Sequence, residues 1–354
     1  MAEEEILFDA TNGVGLITLN RPKALNALNL AKIRAMDPTM RAWAKNPTVR
    51  MVVIEGAGEK AFCAGGDVRK VYDASLADDQ PTIDAFFREE YRLNRLIKTY
   101  PKPYVALLDG ITMGGGVGLS VHGTLRVATE RILFAMPETG IGMIPDVGGT
   151  YFLPRCEGGL GLYLALTGAR LKAADSLYVG VCQYYVPSEK LEALKVALRE
   201  SDATDAAGVE AVVRGFHEDP GPAPLAEVRA DIDRVFGEAD SVTQILDRLE
   251  AEGTEWAAKT KALLLTKSPF ACLVTFQQMM AGAALDFDAC MELEFRVAPR
   301  ITRQPDFIEG IRAVLVDKDN APKWSNSSLA EVDMAVVEGL FAPRLGDEIT
   351  FDDI

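Results

Sequence analysis

Met113-Gly114-Gly115-Gly116-Val117-Gly118, then Met136-Pro137-Glu138, then Ile144-Pro145-Asp146, is the stretch from which the rest of the chain can be read. Glycines let backbone come close to a ligand. A helix that begins in such a loop starts with N–H groups that have no internal partner. Those groups can stabilise a developing oxyanion. Two carboxylates, Glu138 and Asp146, follow eight positions apart. An oxyanion site with carboxylates suggests acyl chemistry that needs no histidine.

Around this stretch the pattern is strand, strand, helix, repeated. Ile6 to Phe8 and Gly15 to Leu19 read as strands about an Asn12-Gly13 turn, a strong hairpin signal. A helix is expected from Asn29 to Lys45 and another from Ile83 to Thr99. Met51 to Ile54 and Tyr104 to Leu108 are short, wholly apolar runs of the buried-strand type, and Leu125 to Ala128 and Ile132 to Phe134 continue the series. This alternation is α/β organisation rather than a sandwich or a bundle. From about Leu191 the texture changes to helical patterns at 191–199, 232–236, 242–249 and 256–265, with a Pro/Gly-rich break at 218–224. The expected division is therefore a core over 1–190 and a mainly helical region over 191–354.

Composition narrows the function classes. With 354 residues, 48% hydrophobic and 25% charged, the chain reads as a globular protein with a large core. A formal charge of −15 argues against nucleic acid or an anionic membrane as partner. No apolar run reaches the roughly 20 residues that cross a bilayer. The five cysteines (63, 156, 182, 272 and 290) form no CxxC pair, so no metal site is expected, and they read as reduced thiols. With the acidic start Met1-Ala2-Glu3-Glu4-Glu5, which resembles neither a secretory signal nor an Arg-rich transit peptide, this gives a cytoplasmic expectation.

Elimination leaves the carboxylates. The only histidines are His122, in an apolar run read as a core position, and His217, beside a charged loop. GxSxG, HExxH and GxxxxGK[ST] are absent, and no GxGxxG follows a strand. A second glycine turn, Phe62-Cys63-Ala64-Gly65-Gly66-Asp67, also follows a buried strand, and the two turns could each give one N–H to a single carbonyl oxygen. Taken singly, each feature has a plainer explanation. Asp67 could cap a helix, Gly114–Gly118 could serve close packing, Glu138 could be a surface or helix-terminal carboxylate, and Asp146 a turn residue.

Together, Asn20-Arg21-Pro22-Lys23-Ala24-Leu25-Asn26-Ala27-Leu28, Phe62 to Asp67, Met113 to Gly118 and Pro137-Glu138 resemble the crotonase (enoyl-CoA hydratase/isomerase) family. The resemblance implies a spiral of ββα turns with a helical C-terminal part, an acyl-CoA substrate and no cofactor besides it. It maps the oxyanion hole to the N–H groups of Ala64 and Gly115, with Gly65, Gly66, Asp67 and Gly114 around the substrate. Hydratases of the family carry one glutamate just after the glycine loop, where this chain has Gly118, and a second that is retained as Glu138. They typically have glycine where this chain has Asp146. The run Met136 to Gly149, with Phe86-Phe87-Arg88-Glu89-Glu90-Tyr91 and Glu309 to Asp319, looks like the 3-hydroxyisobutyryl-CoA hydrolase branch. That branch implies thioester hydrolysis in valine breakdown, with 3-hydroxypropionyl-CoA a further substrate. Glu138 would be nucleophile or base, and Asp146 would bind the substrate hydroxyl or assist proton transfer. Glu90 would contact substrate, and Lys23 or Arg69 the CoA phosphates. A hydratase or isomerase, and a non-catalytic acyl-CoA-binding protein, remain alternatives. Shorter members of the family usually form trimers, so a homo-oligomer is a further expectation.

Overall fold

The computed structural model describes residues 4–351. The chain forms two compact units, each assembled from separated segments: residues 1–66, 92–135 and 170–226, and residues 67–91, 136–169 and 227–354.

The first unit holds the strands. β1 (Ile6–Thr11) and β2 (Val14–Leu19) form an antiparallel hairpin. Asn12 and Gly13 take φ of 52° and 83°, the left-handed pair that a tight hairpin turn requires. Next come β3 (Met51–Gly56), β4 (Ala61–Cys63), β5 (Tyr104–Leu108), β6 (Ile111–Met113), β7 (Leu125–Ala128), β8 (Leu133–Ala135) and β9 (Tyr184–Tyr185). They sort into two sheets, of order β1-β2-β3-β5-β7-β9 and β4-β6-β8. Each turn of chain thus gives one strand to the first sheet and the next to the second, and apart from the hairpin all pairings are parallel. Residues 51–54 and 104–108 are buried throughout, as parallel strands covered on both faces must be, which is why they read as unbroken apolar runs. One side of the sheet is covered by the helix Leu191–Glu200, through Leu191, Leu194 and Leu198, and by Val209 and Val213 of the next helix.

Three helices interrupt the strand series. α1 (Leu30–Lys45) starts where the Asn29 side chain accepts from the Lys32 N–H, and it buries Ile33, Met36, Met40 and Trp43 at helical spacing. α2 (Val68–Leu76) follows the first glycine turn. α3 (Gln80–Lys98) begins three residues before the expected start. Asp79 accepts from the Thr82 N–H and hydroxyl, and Pro81 is harmless in a first helical turn. The second unit is helical over most of its length, including Pro269–Gly282 and Phe287–Ile301. The structure is an α/β fold of ββα turns with a mainly helical C-terminal region.

The loop before α1 shows why its motif carries information. Leu25 and Asn26 both take left-handed φ, 49° and 57°. The buried Asn26 side chain ties this turn to the β3–β4 connection: Nδ2 donates to Ala61 O (2.8 Å) and Ala57 O (3.0 Å), and Oδ1 accepts from Arg21 N (2.9 Å). Lys32 Nζ donates to the carbonyls of Asn26 and Ala27. Asn26→Leu keeps the volume but strands these groups, each worth about 1–3 kcal/mol when buried unpaired. The variant is expected to unfold at a clearly lower urea concentration than the parent. An unchanged midpoint would mean that the turn holds without these bonds.

Candidate active site

The two glycine turns lie in the first unit, at the ends of β4 and β6. α4 (Gly115–Gly118) starts at Gly115, so the Gly115 N–H has no acceptor within its own helix. Gly114 precedes it with φ of 46°. Gly116 is a packing glycine: a Cβ there would lie 2.2 Å from Cys63 O. In the other turn Gly65 has φ of +124° and packs toward Met113 O and Gly114 Cα, so the two turns abut. The Ala64 N–H, the second expected oxyanion donor, donates to Leu25 O at 3.0 Å. Asp67 stands at the N-cap of α2 without its side chain capping the helix. α4 is only four residues long, so His122 lies in the turn beyond it rather than in a helix; it is buried, as a core position should be. That turn closes because Gly123 lets the Tyr104 ring approach within 2.4 Å of where a Cβ would sit.

The carboxylates meet in the second unit. Glu90, Glu138, Asp146 and Glu294 are 2%, 6%, 7% and 0% exposed, so neither Glu138 nor Glu90 is the surface carboxylate it could have been. Glu138 opens a short 3-10 turn, Glu138–Ile141, whose base is fixed by tight packing: a Cβ on Gly168 would come 2.9 Å from Pro137 Cα. Glu138 Oε2 and Glu90 Oε1 have no hydrogen-bond partner among the described residues. Tyr91 donates its hydroxyl to Asp146 Oδ2 at 2.7 Å.

Burial without cations raises these groups. Loss of hydration, then the charge of Asp146, holds Glu138 well above the ordinary carboxylate range. Loss of hydration followed by Asp146 and Glu294 does the same to Glu90. Asp146 is pushed up by burial, against the Tyr91 hydrogen bond, to about 6. Burial and the neighbouring Asp146 push Glu294 up to about 8, although two backbone N–H groups oppose this. Perturbed carboxyls gathered in one place make this a candidate functional site.

Sequence reading missed Glu294 and gave no role to Tyr91. Glu294 lies on the helix Phe287–Ile301, where Phe287, Cys290, Met291, Val297, Ala298 and Ile301 define the buried face. It occupies a core position of that face, and an ionisable residue there was the available signal. The candidate phosphate cations lie apart from the carboxyls in character. Lys23 is exposed and lines a cleft of about 290 Å3 in the first unit, together with Asn26, Gly58 and Lys60. Arg69 pairs with Asp73 at 3.0 Å and packs over the Tyr72 ring. His217 is exposed and bonds the Tyr185 backbone. All five cysteines are free thiols, and among the described residues no helix is long and apolar enough to cross a membrane.

Paired strands feeding two parallel sheets, with a glycine-started helix at the strand ends, define the class of ββα-spiral proteins. The chain belongs to the enoyl-CoA hydratase/isomerase family, whose sequence profile matches residues 14–341. A protein of Danio rerio named 3-hydroxyisobutyryl-CoA hydrolase, mitochondrial, is 48% identical over 96% of this chain and 90% of its own length. Its namesake in Homo sapiens is 44% identical over 94% of this chain and 86% of its own. A crystal structure titled as a carnitinyl-CoA dehydratase from Mycobacterium thermoresistibile superposes with a TM-score of 0.92 at 42% identity, covering 99% of this chain and 100% of that one. The word mitochondrial in the relatives' names overturns the cytoplasmic expectation. Compartment is addressed by receptor-read signals rather than by composition, so neither Met1–Glu5 nor the scattered cysteines was a guide to it.

The raised carboxyls fix the sign of the pH dependence of stability. A group whose pKa is higher in the folded state favours folding at low pH and loses that contribution as pH rises through the folded value. For Asp146 the loss falls between its ordinary 3.8 and about 6, and for Glu294 between 4.5 and about 8. The melting temperature is therefore expected to fall as pH is raised from 5 to 8.5, and the fall should be shallower in Asp146→Asn. A flat profile in the parent would show that these carboxyls titrate as they do in water.

Proposed function

We propose that the protein hydrolyses the thioester of 3-hydroxyisobutyryl-CoA to 3-hydroxyisobutyrate and CoA, with 3-hydroxypropionyl-CoA as a second substrate. The observation that carries this reading is the 44–48% identity, over more than nine-tenths of the chain, to proteins named for that activity. The site chemistry supports it. Gly115 N–H polarises the carbonyl, with Ala64 N–H joining only by sharing or leaving its bond to Leu25 O. Glu138 acts in its ionised form by one of two routes. As nucleophile, its oxygen attacks the carbonyl carbon, the C–S bond breaks, and water then cleaves the anhydride. As base, it takes a proton from water while the water oxygen attacks, and it returns the proton to the departing thiolate. Either way the acid gains one oxygen, taken from water directly or from Glu138 with water restoring the carboxyl, a proton ends on the thiol, and no cofactor is consumed. Asp146 accepts a hydrogen bond from the substrate hydroxyl, and Glu90 lines the same acyl site.

Solved relatives titled as a dehydratase and as a hydratase raise the alternative of adding water to, or removing it from, a carbon–carbon bond. That reaction in this family uses the glutamate which is Gly118 here, a buried glycine of α4. Purified protein is expected to release free thiol from 3-hydroxyisobutyryl-CoA and to leave crotonyl-CoA intact. Glu138→Gln should lower that turnover at least about 10²-fold, the range for losing a general base or nucleophile, while still binding acyl-CoA. Rapid hydration of crotonyl-CoA without thiol release would refute the hydrolase reading.

Asp146 can be tested by discrimination. A site built to bond a hydroxyl leaves a buried acceptor unpaired when the hydroxyl is missing, and large selectivity arises this way. Asp146→Ala is expected to lose the preference for 3-hydroxyisobutyryl-CoA over isobutyryl-CoA in kcat/KM. Equal slowing of both substrates would assign Asp146 to proton movement instead.

A further inference from the structure

We infer that Glu294 is a positioning residue that, with Gln278, clamps the Asp146 loop in the conformation that reads the substrate hydroxyl. The inference rests on the role proposed above for Asp146. Glu294 is fully buried, and its two oxygens accept from two N–H groups of one loop: Gly148 N to Oε2 at 2.8 Å and Thr150 N to Oε1 at 2.9 Å. Gln278, on the preceding long helix, donates through Nε2 to Pro145 O at 2.9 Å and to Thr150 Oγ1 at 2.5 Å. Residues 145–150 are thus held on both sides of Asp146 by side chains from two helices.

The loop needs such a clamp. Val147 has φ of 52° and Gly148 of 87°. A β-branched residue in the left-handed region is a conformational outlier, and outliers persist only where the surroundings over-determine them. Val147 follows Asp146 directly, so its dihedrals set how the loop continues from the residue that bears the carboxylate. Two hydrogen bonds from the Gly148 and Thr150 N–H groups to one carboxyl fix it at two points. The geometry is directional. Glutamine at 294 has one acceptor oxygen, and its amide nitrogen would face an N–H.

The test uses Glu294→Gln and Gln278→Met with two readouts. Backbone hydrogen exchange over residues 144–152 should quicken in each variant while the rest of the chain exchanges as before. In kcat/KM, 3-hydroxyisobutyryl-CoA should fall about tenfold or more while isobutyryl-CoA changes by less than about threefold, because only the former uses Asp146. A purely structural Glu294 would lower the melting temperature and slow both substrates alike, and that result overturns the proposal. Unchanged exchange over 144–152 overturns it too. If the parent releases no thiol from either substrate, the proposed function fails, while the exchange measurement still decides whether the clamp exists. Should one variant fail to fold, the other carries the same comparison.

Discussion

A carboxyl group removed from water must find donors or keep its proton, and this requirement organises the second unit. Four of the carboxyls buried there gather at the site, and each meets the requirement differently. Glu294 has two backbone N–H groups, Asp146 has the Tyr91 hydroxyl, and Glu90 and Glu138 each keep an oxygen without a partner among the described residues. Burial is the first cause of raised proton affinity in all four: Asp146 is pushed up to about 6 and Glu294 to about 8, and Glu90 and Glu138 are held well above the ordinary range. Asp146 accepts from the Tyr91 hydroxyl, which favours its ionised form against burial. It lies beside a left-handed valine that two helices restrain.

Such an arrangement costs stability, and tight backbone packing offsets some of the cost. Gly142 has φ of +70° and would place a Cβ 2.3 Å from Asp306 O, so the segment between Glu138 and Asp146 can close only around a glycine. Ser268 donates its N–H to Thr139 O and its hydroxyl to Asp306, while Thr139 donates its hydroxyl to Leu166 O. The turn carrying Glu138 is thereby fixed by its neighbours without using Glu138 Oε2. That leaves Glu138 free to act as a reagent rather than as a structural ligand, a division of labour typical of sites that store strain.

Much of this was legible in the sequence, and the part that was not has a physical reason. Unbroken apolar runs announced β3 and β5 because parallel strands are buried on both faces. The Asn12-Gly13 turn and the helix from Asn29 to Lys45 were equally direct. Glu138 and Asp146 stood out because they flank glycines. The Asn20–Leu28 segment was recognisable as a motif, but the reason for Asn26 is a set of contacts to residues more than 30 positions away, which no local pattern contains. Glu294 was hidden for the same reason. It lies 146 residues from the Gly148 N–H it accepts from, inside a helix that looked like ordinary amphipathic structure. The compartment was misread because acidity near the start describes only those residues.

The same electrostatics link specificity to turnover in the proposed reaction. Glu138 works only when ionised, yet burial and the charge on Asp146 both hold its proton in place. A substrate hydroxyl that donates to Asp146 draws charge away from the carboxylate that opposes Glu138. The hydroxyl that identifies the substrate then also eases ionisation of the group that reacts with it. An acyl-CoA without the hydroxyl leaves Asp146 uncompensated, so discrimination falls on kcat as well as on binding, as expected when an interaction is realised on the way to the transition state.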